Sequence, residues 1–199
     1  MENKTAFAEV IESSLSGWTS QSWQWNRFPI FGSLVTIETP SRTLFGLVYQ
    51  TQTGSMDPTR YPFPYQKTEQ ELLAEQPQIF EFLKTTFMSM TVGYLDHGHM
   101  VHLLAPEPPH IHAFVQEATK EQAVAFFSNE QYLHLIFGAA AQPINVDELL
   151  LATLKYQKPL GILTHERLKR YVQTYGLLIG NDYRRLKFFA QRTERSINL

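Results

Sequence analysis

Cysteine is absent from the 199-residue sequence, and its absence excludes several classes of site at once. The chain has no disulfide, no thiol nucleophile, no thiolate zinc site and no cysteine-ligated iron–sulfur cluster. Long apolar runs are also missing, and none approaches the ~20 residues that a membrane-spanning helix requires. The first residues lead into no signal-peptide core. We therefore expect a cytoplasmic protein that does not associate with membranes.

Basic residues are scarce in the first three quarters of the chain. Residues 1–150 contain 7 Lys and Arg but 16 Asp and Glu, whereas residues 151–199 contain 10 and 3. This asymmetry indicates that the basic part meets an acidic partner, nucleic acid or the acidic region of its own chain. The charges alone leave these alternatives open.

The first two thirds of the chain have the pattern of β-strands. Residues 31–38 and 43–50 are β-branched and aromatic, and a four-residue turn-rich connection predicts that they form a hairpin. Residues 85–95 predict a longer strand, which turns at residues 96–98 into a strand over residues 100–104. Gly46 and Gly93 interrupt strand patterns, which indicates a bulge or a close backbone approach.

Short helices are predicted by their capping residues. Thr68 with Glu71 and Thr119 with Gln122 match the capping box. Further predicted helix starts are Asn145, Thr164 and Asn181. Because the strands come first and the helices follow as a block, we predict an α+β fold. It consists of a small closed β-barrel of about six strands over residues 1–117, followed by a helical C-terminal extension over residues 118–199.

Several short motifs follow one another in a distinctive order. They are Phe31-Gly32-Ser33-Leu34-Val35, Leu44-Phe45-Gly46-Leu47-Val48, the loop around Pro62 and Pro64, Glu71-Leu72, Val92-Gly93-Tyr94 and His112-Ala113-Phe114-Val115. In this order they resemble the HAS barrel, a domain shared by HerA-type DNA-translocating ATPases and rotary ATP synthases. The resemblance covers roughly residues 5–150.

The ATPases of that family continue from the barrel into a motor domain with a G-x-x-x-x-G-K-[ST] loop for the phosphates. Residues 135–138 and 143–146 resemble the lead-in to this domain. Residues 155–163, where the phosphate loop would follow, contain a single glycine, Gly161, and no Gly-Lys-Ser/Thr sequence. The resemblance therefore implies a barrel without its motor, and it carries over neither ATP hydrolysis nor any nucleotide-binding residue.

By the same resemblance, family barrels sit at the end of ring-shaped motors and mediate subunit or partner contacts. We accordingly predict a non-catalytic protein without a cofactor or metal. It would act as an oligomerisation or partner-docking module for a ring ATPase or a DNA-processing complex, and its partner would be a protein or a second copy of itself.

The last predicted helix carries the candidate interaction surface. At ~100° per residue, its basic side chains fall on one arc of the helix, and one aromatic side chain lies among them. The candidate residues are Arg184, Arg185, Lys187, Phe188, Arg192 and Arg195. An aromatic side chain among arginines is typical of an interface.

Two other functions stay open. A barrel that binds single-stranded nucleic acid could use the basic C-terminal helices, or the aromatic cluster Tyr61, Phe63 and Tyr65 with Arg60 and Lys67. A metal-dependent enzyme could use His110 and His112 with a third His from the preceding hairpin, where His97, His99 and His102 lie.

Overall fold

The computed structural model describes residues 5–57, 59, 62–139 and 144–197, and its architecture is the predicted α+β fold with a closed barrel. Seven strands form one antiparallel sheet. They are β1 (Ala8–Ser14), β2 (Gly17–Ser22), β3 (Leu34–Glu38), β4 (Arg42–Ser55), β5 (Leu83–Asp96), β6 (His99–Val101) and β7 (Phe114–Glu117).

The sheet closes because β2 pairs with both β1 and β5. The strand order is β2-β1-β7-β3-β4-β5, and the additional β2–β5 pairing, from Gly17–Met90 to Gln21–Thr86, completes a six-stranded ring. Strand β6 lies outside the ring and pairs with the C-terminal end of β5. The prediction of a closed barrel of about six strands is therefore confirmed.

Strands β4 and β5 form a long hairpin that contains the predicted bulge. Phe45 pairs with Gly93 and Gly46 with Thr91, so the register shifts between these two pairs. Gly46 lies under the indole of Trp18. Gly93 has a φ of +154°, and a Cβ there would lie 2.6 Å from the Val101 carbonyl oxygen. Both glycines therefore permit a close approach that no larger residue would allow.

Two short helices interrupt the β4–β5 hairpin. Helix α1 (Glu69–Glu75) begins at Thr68, and the predicted capping box between Thr68 and Glu71 is present. Helix α2 (Gln78–Glu81) follows and leads directly into β5. We call residues 56–82, which connect β4 to β5 in the sequence, the excursion.

Five helices follow β7. They are α3 (Lys120–Phe126), α4 (Tyr132–Gly138), α5 (Val146–Gln157), α6 (His165–Leu178) and α7 (Tyr183–Ile197). The caps predicted at Thr119, Asn145 and Thr164 are present. The cap predicted at Asn181 is wrong. Asn181 adopts a left-handed turn conformation with φ +60°, and the Asp182 carboxylate accepts from the backbone N–H groups of Arg184 and Arg185 instead.

Two apolar cores stabilise the barrel and its contact with the helices. One fills the barrel and includes Phe7, Val10, Trp18, Ile37, Val48, Phe87 and Val115. The other lies between the outside of the barrel and the helices, and includes Phe45, Leu47, Met90, Phe126, Leu133, Leu150, Tyr175 and Phe189. The strands β4 and β5 are thus covered on both faces. The division of the chain at residue 117 stays a prediction.

Candidate functional site

Helix α7 presents two different faces. Its buried face consists of Phe189, Thr193 and Ile197. The Phe189 ring stacks on Tyr175 of α6 with centroids 4.2 Å apart, which fixes the rotation of the helix about its axis. The predicted basic arc consequently points away from the core, and Phe188 within it is 56% exposed.

The six predicted residues divide into two groups. Arg185 and Arg192 form ion pairs with the first turn of α5, through Asp147 and Glu148 respectively. Arg184, Lys187 and Arg195 are exposed, and none of them has an ion-pair partner in the described part of the chain. Part of the basic charge is thus matched within the chain, while the rest remains available at the surface. The interaction role of the six residues stays a prediction.

Asp147 is the centre of the stronger pair. Its carboxylate accepts from Arg185 Nε at 3.0 Å and from Arg185 Nη2 at 2.7 Å, a two-point contact. The hydroxyl of buried Tyr175 donates to the same carboxylate at 3.0 Å. Burial raises the pKa of Tyr175, and the hydrogen bond to Asp147 raises the pKa of Arg185. The phenol of Tyr175 therefore stays neutral and the guanidinium of Arg185 stays charged. Their hydrogen bonds to Asp147 link α6 and α7 to α5.

The pair between Arg192 and Glu148 is of another kind. Its atoms approach to 2.6 Å, but both side chains are about half exposed, so solvent screens the attraction. Between these two pairs lies a cleft of about 290 Å³, and the Phe188 ring forms part of its wall. The cleft contains carboxylates as well as guanidinium groups, so it is not a simple anion site.

A second surface lies on the excursion. An apolar groove of about 480 Å³ is lined by Phe63, Tyr65, Leu72, Ile79, Phe80 and Phe82, together with Ser55, Asp57, Pro62 and Leu83. Trp25 stacks on Phe80 with ring centroids 5.3 Å apart and so supports the floor of the groove. Phe63 and Phe82 are 70% and 60% exposed. We call this surface the apolar groove.

The excursion, which supplies most of the lining of the apolar groove, is acidic. The excursion contains Asp57, Glu69, Glu71, Glu75 and Glu81, against only Arg60 and Lys67. Lys67 forms an ion pair with Glu75. The hydrogen bonds from the Thr68 backbone and side chain lower the pKa of Glu71, so this carboxylate is ionised at neutral pH. A phosphate backbone would be repelled here.

The aromatic cluster that suggested a nucleic-acid platform falls partly in this region. Phe63 and Tyr65 make an edge-to-face contact with centroids 5.4 Å apart, while Arg60 and Tyr61 lie outside the described residues. Sequence reasoning identified these aromatics but not the groove that they form with α1 and α2. The spacing of these aromatics in the sequence indicated a surface cluster. The groove itself also depends on the positions of α1 and α2, which supply part of its lining.

The clustered histidines have separate environments. His102 is buried, and its Nε2 lies 2.9 Å from the Phe126 carbonyl oxygen. His112 Nδ1 lies 3.2 Å from Glu9, whereas His97, His99 and His110 are exposed. Residues 110–112 are not in a strand. Among the described residues, no three His, Asp or Glu side chains form a group that could hold a metal ion.

Two of the tryptophans lie in different environments. Trp18 is buried in the barrel, whereas Trp23 is about half exposed. Trp23 packs edge-on against Phe114 with centroids 5.4 Å apart, and its Nε1 donates to Glu9 at 3.0 Å. This outer face of β1 and β7 is a second apolar patch, separate from the apolar groove.

No protein-family model matches the sequence, and no curated protein matches it either. The resemblance to the HAS barrel therefore stays a prediction that rests on the motifs. None of the helices in the described ranges is both long and apolar enough to cross a membrane.

Proposed function

We propose that this chain is a non-catalytic barrel of the HAS type that acts as a module for oligomerisation or partner docking. The partner class is a ring ATPase or a DNA-processing complex. The observation that carries the proposal is the apolar groove, an open surface of about 480 Å³ with two strongly exposed phenylalanines. Contiguous exposed apolar surface on a folded domain marks an interaction site.

The chemistry of the apolar groove favours a protein as its occupant. Aromatic side chains at the centre of a surface, with charged side chains around it, are the composition of a protein interface. The acidic surroundings disfavour nucleic acid at this site. The HAS resemblance is supported by the positions of its motifs, because the Leu34–Val35 and Leu44–Val48 segments fall on the paired strands β3 and β4. The Val92-Gly93-Tyr94 segment falls on the bulged part of β5.

Measurement of the molar mass by light scattering tests this proposal. The wild-type chain should either exceed its monomer mass of 23.0 kDa or bind a separate protein partner as a stoichiometric complex. The variant Phe82→Ser should weaken that association. The control Leu103→Ser removes a similarly exposed apolar side chain outside the apolar groove and should leave it unchanged.

Three results would contradict the proposal. One is a wild-type chain that stays monomeric and forms no complex. Another is an association that Phe82→Ser and Leu103→Ser affect equally. The third is salt-sensitive binding of single-stranded nucleic acid that Phe82→Ser abolishes, because this would assign the apolar groove to the rival function.

A further inference from the structure

We propose that the apolar groove receives helix α7 from a second copy of this chain, with Phe188 in the groove and the flanking cations facing the acidic excursion. This inference rests on the proposed docking function and names its partner. Four observations carry it. They are a side-chain stripe on α7, the charge of the excursion, the exposure of both surfaces within one copy, and the attachment of each surface to a different part of the fold.

One stripe of exposed side chains runs along the outer face of α7. Arg184, Phe188, Gln191 and Arg195 follow one another at intervals of four, three and four residues, and all four are exposed. Residues at such intervals form one stripe along a helix. Helices that bind in grooves insert apolar anchors from such a stripe, and the stripe of α7 has one. Phe188 is the apolar anchor of this stripe, and an arginine lies one turn before it.

The charges of the two surfaces are complementary. Lys187, Arg184 and Arg195 surround Phe188 on α7, while the excursion carries a net excess of three carboxylates over cations. Opposite charges around an apolar centre orient two proteins during association and disfavour other registers. The cations beside Phe188 and the net charge of the excursion are therefore opposite in sign.

Within one copy, the helix face does not occupy the apolar groove. Phe188 is 56% exposed, and Phe63 and Phe82 of the groove are 70% and 60% exposed. Helix α7 packs on α5 and α6, whereas the apolar groove belongs to the β4–β5 excursion. Each surface is therefore free to meet its complement on another copy.

The contact is heterologous, because two different surfaces meet. A heterologous contact leaves one unused helix face and one unused groove at the ends of every open assembly. Repetition then produces a closed ring or a filament, whereas a symmetric dimer would use the same surface twice. This property allows a decisive mixing experiment.

Two variants each remove one half of the contact. The helix variant combines Phe188→Ser with Arg184→Glu, and the groove variant combines Phe63→Ser with Phe82→Ser. All four side chains are exposed, so both variants should retain the wild-type circular dichroism and melting curve. Loss of one buried aromatic anchor should weaken self-association by roughly 10–100-fold. The control Lys169→Glu reverses an exposed charge on α6 and should assemble as the wild type does.

Mixing the two variants at equal concentrations should restore one contact per pair. The intact groove of the helix variant accepts the intact α7 of the groove variant, and growth stops because no complementary surface remains. Light scattering should therefore detect a complex of two chains that neither variant forms alone. Folded variants that stay monomeric in the mixture would overturn the inference, as would variants that still assemble like the wild type.

Charge reversal provides an independent test. Arg184→Glu with Arg195→Glu, and separately Glu69→Lys with Glu81→Lys, should each weaken association by about tenfold at low salt. A chain that carries all four changes should recover most of this loss. No recovery would contradict direct contact between α7 and the excursion. Retention of single-stranded DNA that only the α7 reversal removes would assign that face to nucleic acid and would overturn the inference.

These outcomes separate this inference from the broader docking function. Self-association that the groove variant weakens and the helix variant leaves unchanged would refute the α7 contact and leave docking at the apolar groove intact. A monomeric wild-type chain whose binding to another protein needs Phe82 would do the same. A wild-type chain that is monomeric and binds no protein would refute both.

Discussion

Replacement of Gly46 by Ala should destabilise the barrel by much more than the addition of one methyl group suggests. A Cβ at this position would lie 2.5 Å from Trp18 Cη2 and 2.9 Å from Ser89 Cβ. The indole is only 3% exposed and cannot move into solvent. Overpacking of such a site costs about 1–3 kcal/mol, and the two short contacts indicate the upper part of this range. For a chain of this length, each kcal/mol lowers the Tm by about 2–4 °C.

The same strand provides a control. Gly54 also lies in β4, but a Cβ there would meet no atom within 4 Å. Gly54→Ala should leave the Tm unchanged within experimental error or raise it slightly, because alanine restricts the unfolded chain. Thermal unfolding followed by circular dichroism measures both variants under the same conditions. The difference between them isolates the contact with Trp18 from the general effect of alanine.

A double-mutant cycle tests the mechanism. Trp18→Phe alone should cost less than the ~3–5 kcal/mol of a complete truncation to alanine. The shorter ring leaves space for the new Cβ, so Gly46→Ala should cost about 1–2 kcal/mol less in that background than in the wild type. Additive effects of the two substitutions, or a Tm for Gly46→Ala equal to that of Gly54→Ala, would refute the reasoning.

Three further predictions concern the helical layer and the histidines. Burial lowers the pKa of His102 below 6.5, so the unfolded state binds the extra proton and stability should decline as pH falls below about 6.5. In urea titrations at several pH values, His102→Gln should flatten that decline, and His99→Gln at the exposed position should not. Asp147→Ala should lower the free energy of unfolding by about 1–3 kcal/mol, because the side chains of Arg185 and Tyr175 lose their acceptor. Glu148→Ala should cost only about 0–1 kcal/mol, and equal losses for these two variants would contradict the assigned roles. Incubation with a chelator should leave the melting curve unchanged, and a large fall in Tm would instead indicate a bound metal.

The capping boxes illustrate what could be predicted locally. Thr68 with Glu71 and Thr119 with Gln122 begin helices as predicted, because a cap depends on hydrogen bonds between residues three positions apart. The last cap was placed at Asn181 rather than Asp182. The two neighbours are both good capping residues, and only the turn after α6, which forces Asn181 into a left-handed conformation, distinguishes them.

The surfaces of α7 were predictable only in part. The helical period alone places the cations and Phe188 on one arc. The period does not show that Asp147 and Glu148, some forty residues earlier, pair with Arg185 and Arg192 while the other cations remain exposed. The apolar groove was missed for a similar reason, because its lining comes from β4, a loop, two helices and β5.

The sequence by itself determined the local elements of this protein. The β-branched and aromatic content of β3 and β4, the turns between strands, most of the helix caps and the glycines of the bulge all depend on interactions within a few residues or between adjacent strands. The tertiary structure alone decided the β2–β5 pairing that closes the barrel, the burial of Trp18 over Gly46 and the exposure of Phe188. These features bring together residues that are distant in the chain. Their free energy depends on the packing of whole layers, and no short segment carries that information.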